Sequence, residues 1–263
     1  MVAAGAEAGK GGMGGDVPAL PPFFKQVVAL NAARHGALKL DRSRGYGFAA
    51  GVNALPLGLG EVPLAAQHYP VVLTTGPNPV PVAVLGYRNG ENLFVDDGGA
   101  WLPGAYVPAY VRSFPFILIE PPSTGQNPAG EVYLGIETTT PMLGETGEAL
   151  FAYGEPTELA AEAMRFAVAY RDELARATAF GQALSAAEVL QANAARLDFK
   201  DGGTARLDGF QVIDAAKIEA LDDARFLDWR RQGWLAALYA IPQSAARWAT
   251  IVDRAHGRRR DEP

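Results

Sequence analysis

From Phe24 to about Thr140 the apolar residues come in short runs broken by turn-forming clusters. "KQVVALN", "YPVVLTT" and "VPVAVLGYR" are apolar and rich in β-branched residues, and the last two are separated by "GPNP", which cannot continue regular structure. "LGYRNGENLFVDDGG" places Asn89-Gly90 between two strand-like runs. Both residues tolerate the positive φ of a type I′ turn, which predicts a β-hairpin. "PFILIE" and "EVYLGIETT" predict two further strands, joined by "PPSTGQNPAG". Strands linked this tightly pair antiparallel, because a parallel pair needs a crossover of about a dozen residues or more.

After Pro156 the period changes. Leu159, Ala163, Phe166, Tyr170 and Leu174 recur at helical spacing, and Thr157 stands where an N-cap belongs. Gly181 then precedes "SAAE", where Ser185 and Glu188 have the spacing of a capping box and predict a second helix start. "ARLDFKDGGTARLDGFQVI" returns to strand character around a second hairpin signal, Asp201-Gly202. "DAAKIEAL" and a long stretch from Asp222 to about Ala255 are helical, with Gly233 and Pro242 as breaks.

Strands, then helices, a hairpin, and more helices describe an α+β fold: a β-rich antiparallel N-terminal half packed with a helical C-terminal half containing one further hairpin. The expected organisation is a disordered leader over residues 1–22, one domain over 24–255 and a flexible tail over 256–263.

Composition narrows the function. The net charge of -6 argues against a nucleic-acid partner, since neutralising phosphates needs a concentrated Lys/Arg face. The basic run Arg258 to Arg260 meets Asp261 and Glu262 at once and reads as a solvated tail. Without cysteine there are no disulfides, thiolate metal sites or cysteine nucleophiles. "MVAAGAEAGKGGMGGDVPALPP" lacks the basic start and continuous apolar centre of a signal peptide. No run approaches the ~18 apolar residues of a membrane span. The expectation is a protein without a transmembrane segment, either cytoplasmic or exported to the surface without an N-terminal signal.

No cofactor motif stands in the right context. "GYGFAAG" has the glycines of a dinucleotide loop, but "LDRSR" before it is no buried strand, so it reads as a turn. "GAEAGK" is one residue short of a phosphate loop and lacks its Ser or Thr. His35, His68 and His256 have no metal-ligand spacing. Asp96, Asp97, Glu120 and Glu137 are available carboxylates, but a catalytic pair is defined in space. The expectation is no metal and no cofactor.

Chemistry concentrates in "WLPGAYVPAYVRSFPFILIE", residues 101 to 120. Tyr106, Tyr110 and Phe114 are spaced four apart and share one face of a helical turn starting near Val107, which Pro115 ends. As a binding wall, Trp101, Tyr106 and Tyr110 surround Arg112, which contacts an anion. As a structural corner, the same rings roof the sheet and Arg112 pairs with a carboxylate; aromatic stripes are more often core.

The chain resembles the SapC family of bacterial proteins. The resemblance is carried by "LNAARHGALKL", "VPLAAQHYPVVL", "VLGYRNGENLFVDDGGAWLPGAYVPAYVRSFPFIL" and "LDGFQVIDAAKIEALDD". It implies a non-enzymatic protein associated with the surface layer or cell envelope, acting through protein contacts or self-association. That function expects an exposed aromatic patch, or a dimer interface above roughly 1,000 Å². The alternative is a small-molecule binding protein or enzyme, whose site for a small anionic ligand draws on His35, His68, Trp101, Tyr106, Tyr110 and Arg112. It expects a concave pocket where polar groups converge within apolar walls.

Overall fold

The computed structural model describes residues 21–121, 131–199 and 202–261, with side chains as far as Arg258. In chain order β1 (Val27–Ala29), α1 (Ala32–His35), β2 (Lys39–Leu40) and β3 (Ala54–Pro56) lead to α2 (Val62–Ala65). There follow β4 (Val71–Thr74), β5 (Pro81–Val84), α3 (Ala109–Ser113), β6 (Phe116–Ile119) and β7 (Tyr133–Glu137). Four two-residue strands come next: β8 (Leu143–Gly144), β9 (Glu148–Ala149), β10 (Phe151–Ala152) and β11 (Glu155–Pro156). The long α4 (Glu158–Ala186), the hairpin β12 (Leu190–Asp198) and β13 (Thr204–Ile213), and helices α5 (Ala215–Glu219), α6 (Asp223–Arg231), α7 (Leu235–Gln243) and α8 (Trp248–Asp261) complete the chain. This is an α+β fold with antiparallel sheets mostly in the N-terminal half.

The largest sheet has five strands in the order β12-β13-β4-β5-β3. The C-terminal hairpin therefore extends the N-terminal sheet, with Phe210 opposite Thr74 and Gln211 opposite Leu73. β5 is buried along its whole length, which explains why "PVAV" is continuously apolar rather than alternating. One face of this sheet packs into the main core, and Val72, Val82, Val84, Leu207 and Phe210 form a smaller cluster on the other, with Trp248 stacked on Phe210. A second sheet, β1-β7-β6, and a third, β8-β2-β9, are also antiparallel.

Helix α4 packs against β6, β7 and α3. Its fully buried positions include Ala160, Ala167, Ala177 and Gly181, small residues that bring the helix close to its neighbours. The periodic residues Leu159, Phe166, Tyr170 and Leu174 are only half-buried and lie along its flank.

Two predicted elements are corrected. No second helix starts at "SAAE": α4 runs unbroken through Gly181 to Ala186. Gly181 is a contact glycine, because a Cβ there would sit 1.7 Å from the carbonyl oxygen of Pro79. Nor do the runs around Asn89-Gly90 form a β-hairpin. Gly90 does turn at φ +80, but Asn92 donates its backbone N–H to Ala50 at 2.8 Å, drawing the chain out of the ladder that would have formed.

Thr157 takes the N-cap position, yet its hydroxyl donates to the carbonyls of Ala149 and Leu150 instead of capping. The leader expected at 1–22 lies outside the described residues except for Pro21 and Pro22, and so does Asp201 of the second hairpin signal. Residues 256–261, expected to belong to a tail, continue α8, where Arg258 donates to the carbonyls of Asn92 and Val95 at 2.9 and 2.5 Å. No helix among the described residues is long and apolar enough to cross a membrane.

Gly→Ala inside a helix ordinarily stabilises by about 1 kcal/mol. At Gly181 the Pro79 carbonyl reverses the sign, so urea denaturation of Gly181→Ala should show a loss of about 1 to 3 kcal/mol. A stabilised variant would mean that this close packing is not present.

Candidate functional site

The corner between β5 and β6 is organised by a carboxylate that the motifs passed over. Glu61 is 8% exposed and ends a short 3-10 turn that begins at Leu59. Its Oε1 accepts the N–H of Gly58 at 2.9 Å. Its Oε2 accepts both the Tyr106 hydroxyl and the N–H of Ala109, the first residue of α3, at 2.8 Å each. A carboxylate taken out of water needs such donors to remain ionised at tolerable cost. The sequence signal was present in "GLGE", where a Glu three residues past a turn-forming Gly can reach back to the backbone, ahead of Pro63.

Arg112 lies one hydroxyl away from that charge. Its Nη2 donates to the Tyr106 hydroxyl oxygen at 3.2 Å, and its Nε donates to the Val107 carbonyl at 3.1 Å. The guanidinium also lies 5.2 Å from the ring centroid of Phe166 on α4 and 5.8 Å from that of Tyr106, within cation–π range. Among the described residues no carboxylate is within ion-pair distance of it. Burial, followed by the Glu61 charge, pushes the Tyr106 hydroxyl up to about 12, so it stays a donor to Glu61 at neutral pH.

Two concavities meet at Arg112. One, of 320 Å³, is walled by Tyr46, Phe48, Phe114 and Phe166, with Arg42 and Glu162 also on its lining. The other, of 180 Å³, is lined by Glu61, Tyr170 and Glu173. In the smaller one the Glu61 and Glu173 carboxylates, both already hydrogen-bonded, share the lining with Arg112. The larger one is lined by two arginines and by aromatic rings, of which Phe48 and Phe114 stack at 4.0 Å between centroids and Phe166 lies under the Arg112 guanidinium.

This corner lies within the stretch that the SapC family model matches, residues 30–251. The chain belongs to the SapC family. No curated protein and no solved structure matches it. The SapC match takes in Arg42, Glu61, Tyr106, Arg112, Glu162 and Phe166 alike, together with every strand from β2 to β13.

The expected site residues do not all converge in this SapC-family chain. Tyr106 and Arg112 are in contact. Trp101 belongs to the layer behind them: its Nε1 donates to the Tyr69 hydroxyl at 3.1 Å, and that hydroxyl donates to the Tyr106 carbonyl. Tyr69 is fully buried, and burial holds its hydroxyl well above the usual range. Tyr110 turns the other way. Its hydroxyl donates to the Pro22 carbonyl at 2.5 Å, and its ring lines a separate apolar cavity of 310 Å³ with Phe24, Phe116 and Tyr170.

His35 is buried, and its Nδ1 accepts the Asn31 N–H at 3.0 Å, closing the start of α1. His68 is half-buried near Arg247; burial first, and then that positive charge, hold it below the usual imidazole range. Neither histidine lines a concavity that Arg112 lines. Of the other carboxylates noted in the sequence, Glu120 pairs with Arg171 at 2.8 Å, and Asp96 accepts the Ala100 N–H at 2.8 Å. Glu137 accepts the backbone N–H groups of Lys25, Gln26 and Thr139. Arg42 and the α4 pair Glu162 and Phe166 carried no shared motif, because about 120 residues of chain separate the turn from the helix.

Tyr106→Phe removes one donor to Glu61 and one acceptor for Arg112, and should cost about 1 to 3 kcal/mol in urea denaturation at neutral pH. The raised pKa of Tyr106 sets a sign in alkali: the hydroxyl is protonated in both states below about 10, and between about 10 and 12 only the unfolded chain loses its proton, so stability falls. The variant should fall less steeply over that window, retaining the contributions of Tyr69, Tyr110 and Tyr170, which burial raises in the same direction, and of Tyr133, which its hydrogen bond to Glu131 raises. Equal slopes would contradict the Tyr106–Glu61 contact.

Proposed function

We propose that this SapC-family protein is a non-enzymatic binding protein of the bacterial surface layer or cell envelope, and that it receives an anionic group in the Arg112 pocket. The observation that carries the binding site is the state of Arg112. Two hydrogen bonds and an aromatic face hold the guanidinium, yet among the described residues no carboxylate pairs with it. An arginine fixed in this way loses little entropy on binding and offers a planar fork to a carboxylate or phosphate. Arg42 adds a second positive charge to the same 320 Å³ space, and the rings supply the apolar wall that small-ligand sites favour. The envelope assignment rests on family membership alone.

A broad protein contact is supported less well. The large exposed apolar side chains Leu64, Tyr133, Tyr153, Leu227 and Tyr239 belong to different elements: α2, β7, the turn after β10, α6 and α7.

Titration calorimetry with 3-phenylpropanoate, an aromatic carboxylate, tests the pocket. Arg112→Ala should weaken binding at least about tenfold, the equivalent of one charge-assisted hydrogen bond. Its melting temperature should fall by no more than about 2 to 4 °C, because the side chain is exposed. Equal affinities in the two proteins, or no binding by the wild type of either this probe or its α-amino derivative L-phenylalanine, would remove the anion site. Fractionation of the source cells should recover the protein with the envelope; recovery wholly in the cytosol would remove that assignment.

A further inference from the structure

The Arg112 pocket carries charges of both signs that have not collapsed onto each other. Arg42 projects from the 3-10 turn Arg42–Arg44, where Arg44, not Arg42, takes Asp41 at 3.2 Å. Glu162 lies one turn before Phe166 on α4, and the nearby Arg165 is committed to Glu158 at 2.5 Å. Among the described residues the side chains of Arg42 and Glu162 have no hydrogen-bond or ion-pair partner. Both line the same 320 Å³ space as Arg112. The rings of Phe48, Phe114 and Phe166 line the same space.

From this juxtaposition we infer that the pocket selects a small zwitterion, an α-amino acid with an aromatic or large apolar side chain. The inference rests on the anion site proposed above and specifies its ligand. The carboxylate meets Arg112 and Arg42. The ammonium meets Glu162. The side chain lies on the rings, which accept an apolar body without asking for hydrogen bonds. A ligand with only a carboxylate leaves Glu162 unanswered and brings a second negative charge into the same space. A ligand with only an ammonium leaves both guanidiniums unanswered. Discrimination therefore arises as much from what the wrong ligand leaves unpaired as from what the right one gains.

The test compares three probes on the full chain by titration calorimetry: L-phenylalanine, 3-phenylpropanoate, which lacks the ammonium, and 2-phenylethylamine, which lacks the carboxylate. Phenylalanine should bind about tenfold tighter than 3-phenylpropanoate, and 2-phenylethylamine should bind weakest. Glu162→Gln, an exposed substitution on a helix flank, should erase the advantage of phenylalanine while leaving or improving 3-phenylpropanoate binding. Arg42→Gln should weaken both carboxylate-bearing probes and leave their ratio unchanged. If phenylalanine and 3-phenylpropanoate bind the wild type equally and Glu162→Gln alters neither, the zwitterion is wrong and the anion site stands. If neither carboxylate-bearing probe binds, both fall together.

Discussion

The buried carboxylate of Glu61 is the interaction on which the rest of this corner depends. It fastens three separate pieces of chain: the turn at Gly58, the Tyr106 loop and the first N–H of α3. Unpaired, such a charge would cost several kcal/mol. Here the cost is offset by donors from backbone and hydroxyl rather than by a direct ion pair. The arrangement has a further effect. Because the Tyr106 hydroxyl stands between Glu61 and Arg112, it shields the guanidinium from collapse onto its natural counter-charge. Arg112 is thus ordered by a buried anion that it does not touch, and its own charge faces the pocket.

Helix α4 converts that local arrangement into a site. Its small residues Ala160, Ala167, Ala177 and Gly181 let it lie close to the sheets. Close approach brings the bulkier flank to the surface above α3, where Phe166 meets Arg112 and Glu162 stands one turn away. Tyr170, further along, donates to the Pro56 carbonyl at 3.3 Å and so ties the same helix to β3. The large buried residues of α4, Phe180 and Leu184, lie towards its C-terminal end; a large residue at Ala160 or Ala167, near the pocket, would hold the helix further off, and Phe166 would lose the guanidinium.

The strands β1, β4 to β7, β12 and β13 and the long helix were legible because each is written locally, in runs and periods that neighbouring residues share, whereas β3 and the two-residue strands β2 and β8 to β11 are too short to carry such a pattern. "PVAV" and the Leu159-to-Leu174 spacing needed no tertiary information. The failures mark places where a distant partner overrode a local signal. Gly181 looked like a helix end because Gly usually is one, but the Pro79 carbonyl required a position without a side chain. Asn89-Gly90 turned as its chemistry demands, and then Asn92 found Ala50 instead of a ladder. For the site, Arg112 and Tyr106 were recognisable as aromatic and cationic neighbours. Glu61, Arg42, Glu162 and Phe166 were not, since their proximity is a product of the finished fold. The two readings of the 101–120 stretch divide along the chain: Trp101, Tyr110 and Phe114 roof the core, and Arg112 faces outward.

Stability alone does not account for the charges around the larger pocket. Exposed pairs contribute little, about 0 to 1 kcal/mol, so a fold gains almost nothing by aligning them and loses almost nothing by leaving them apart. Order is another matter. Arg112 is held by two hydrogen bonds and an aromatic face, whereas Arg42 sits on a three-residue turn whose Asp41 cap is already shared by Ser43 and Arg44. One arginine is thus positioned in advance and the other is left free to adjust. A rigid fork fixes where a carboxylate must go, and a free arginine beside it closes over carboxylates of differing size. That division of labour is what a site needs when recognition depends on one charged group and tolerance on the body attached to it.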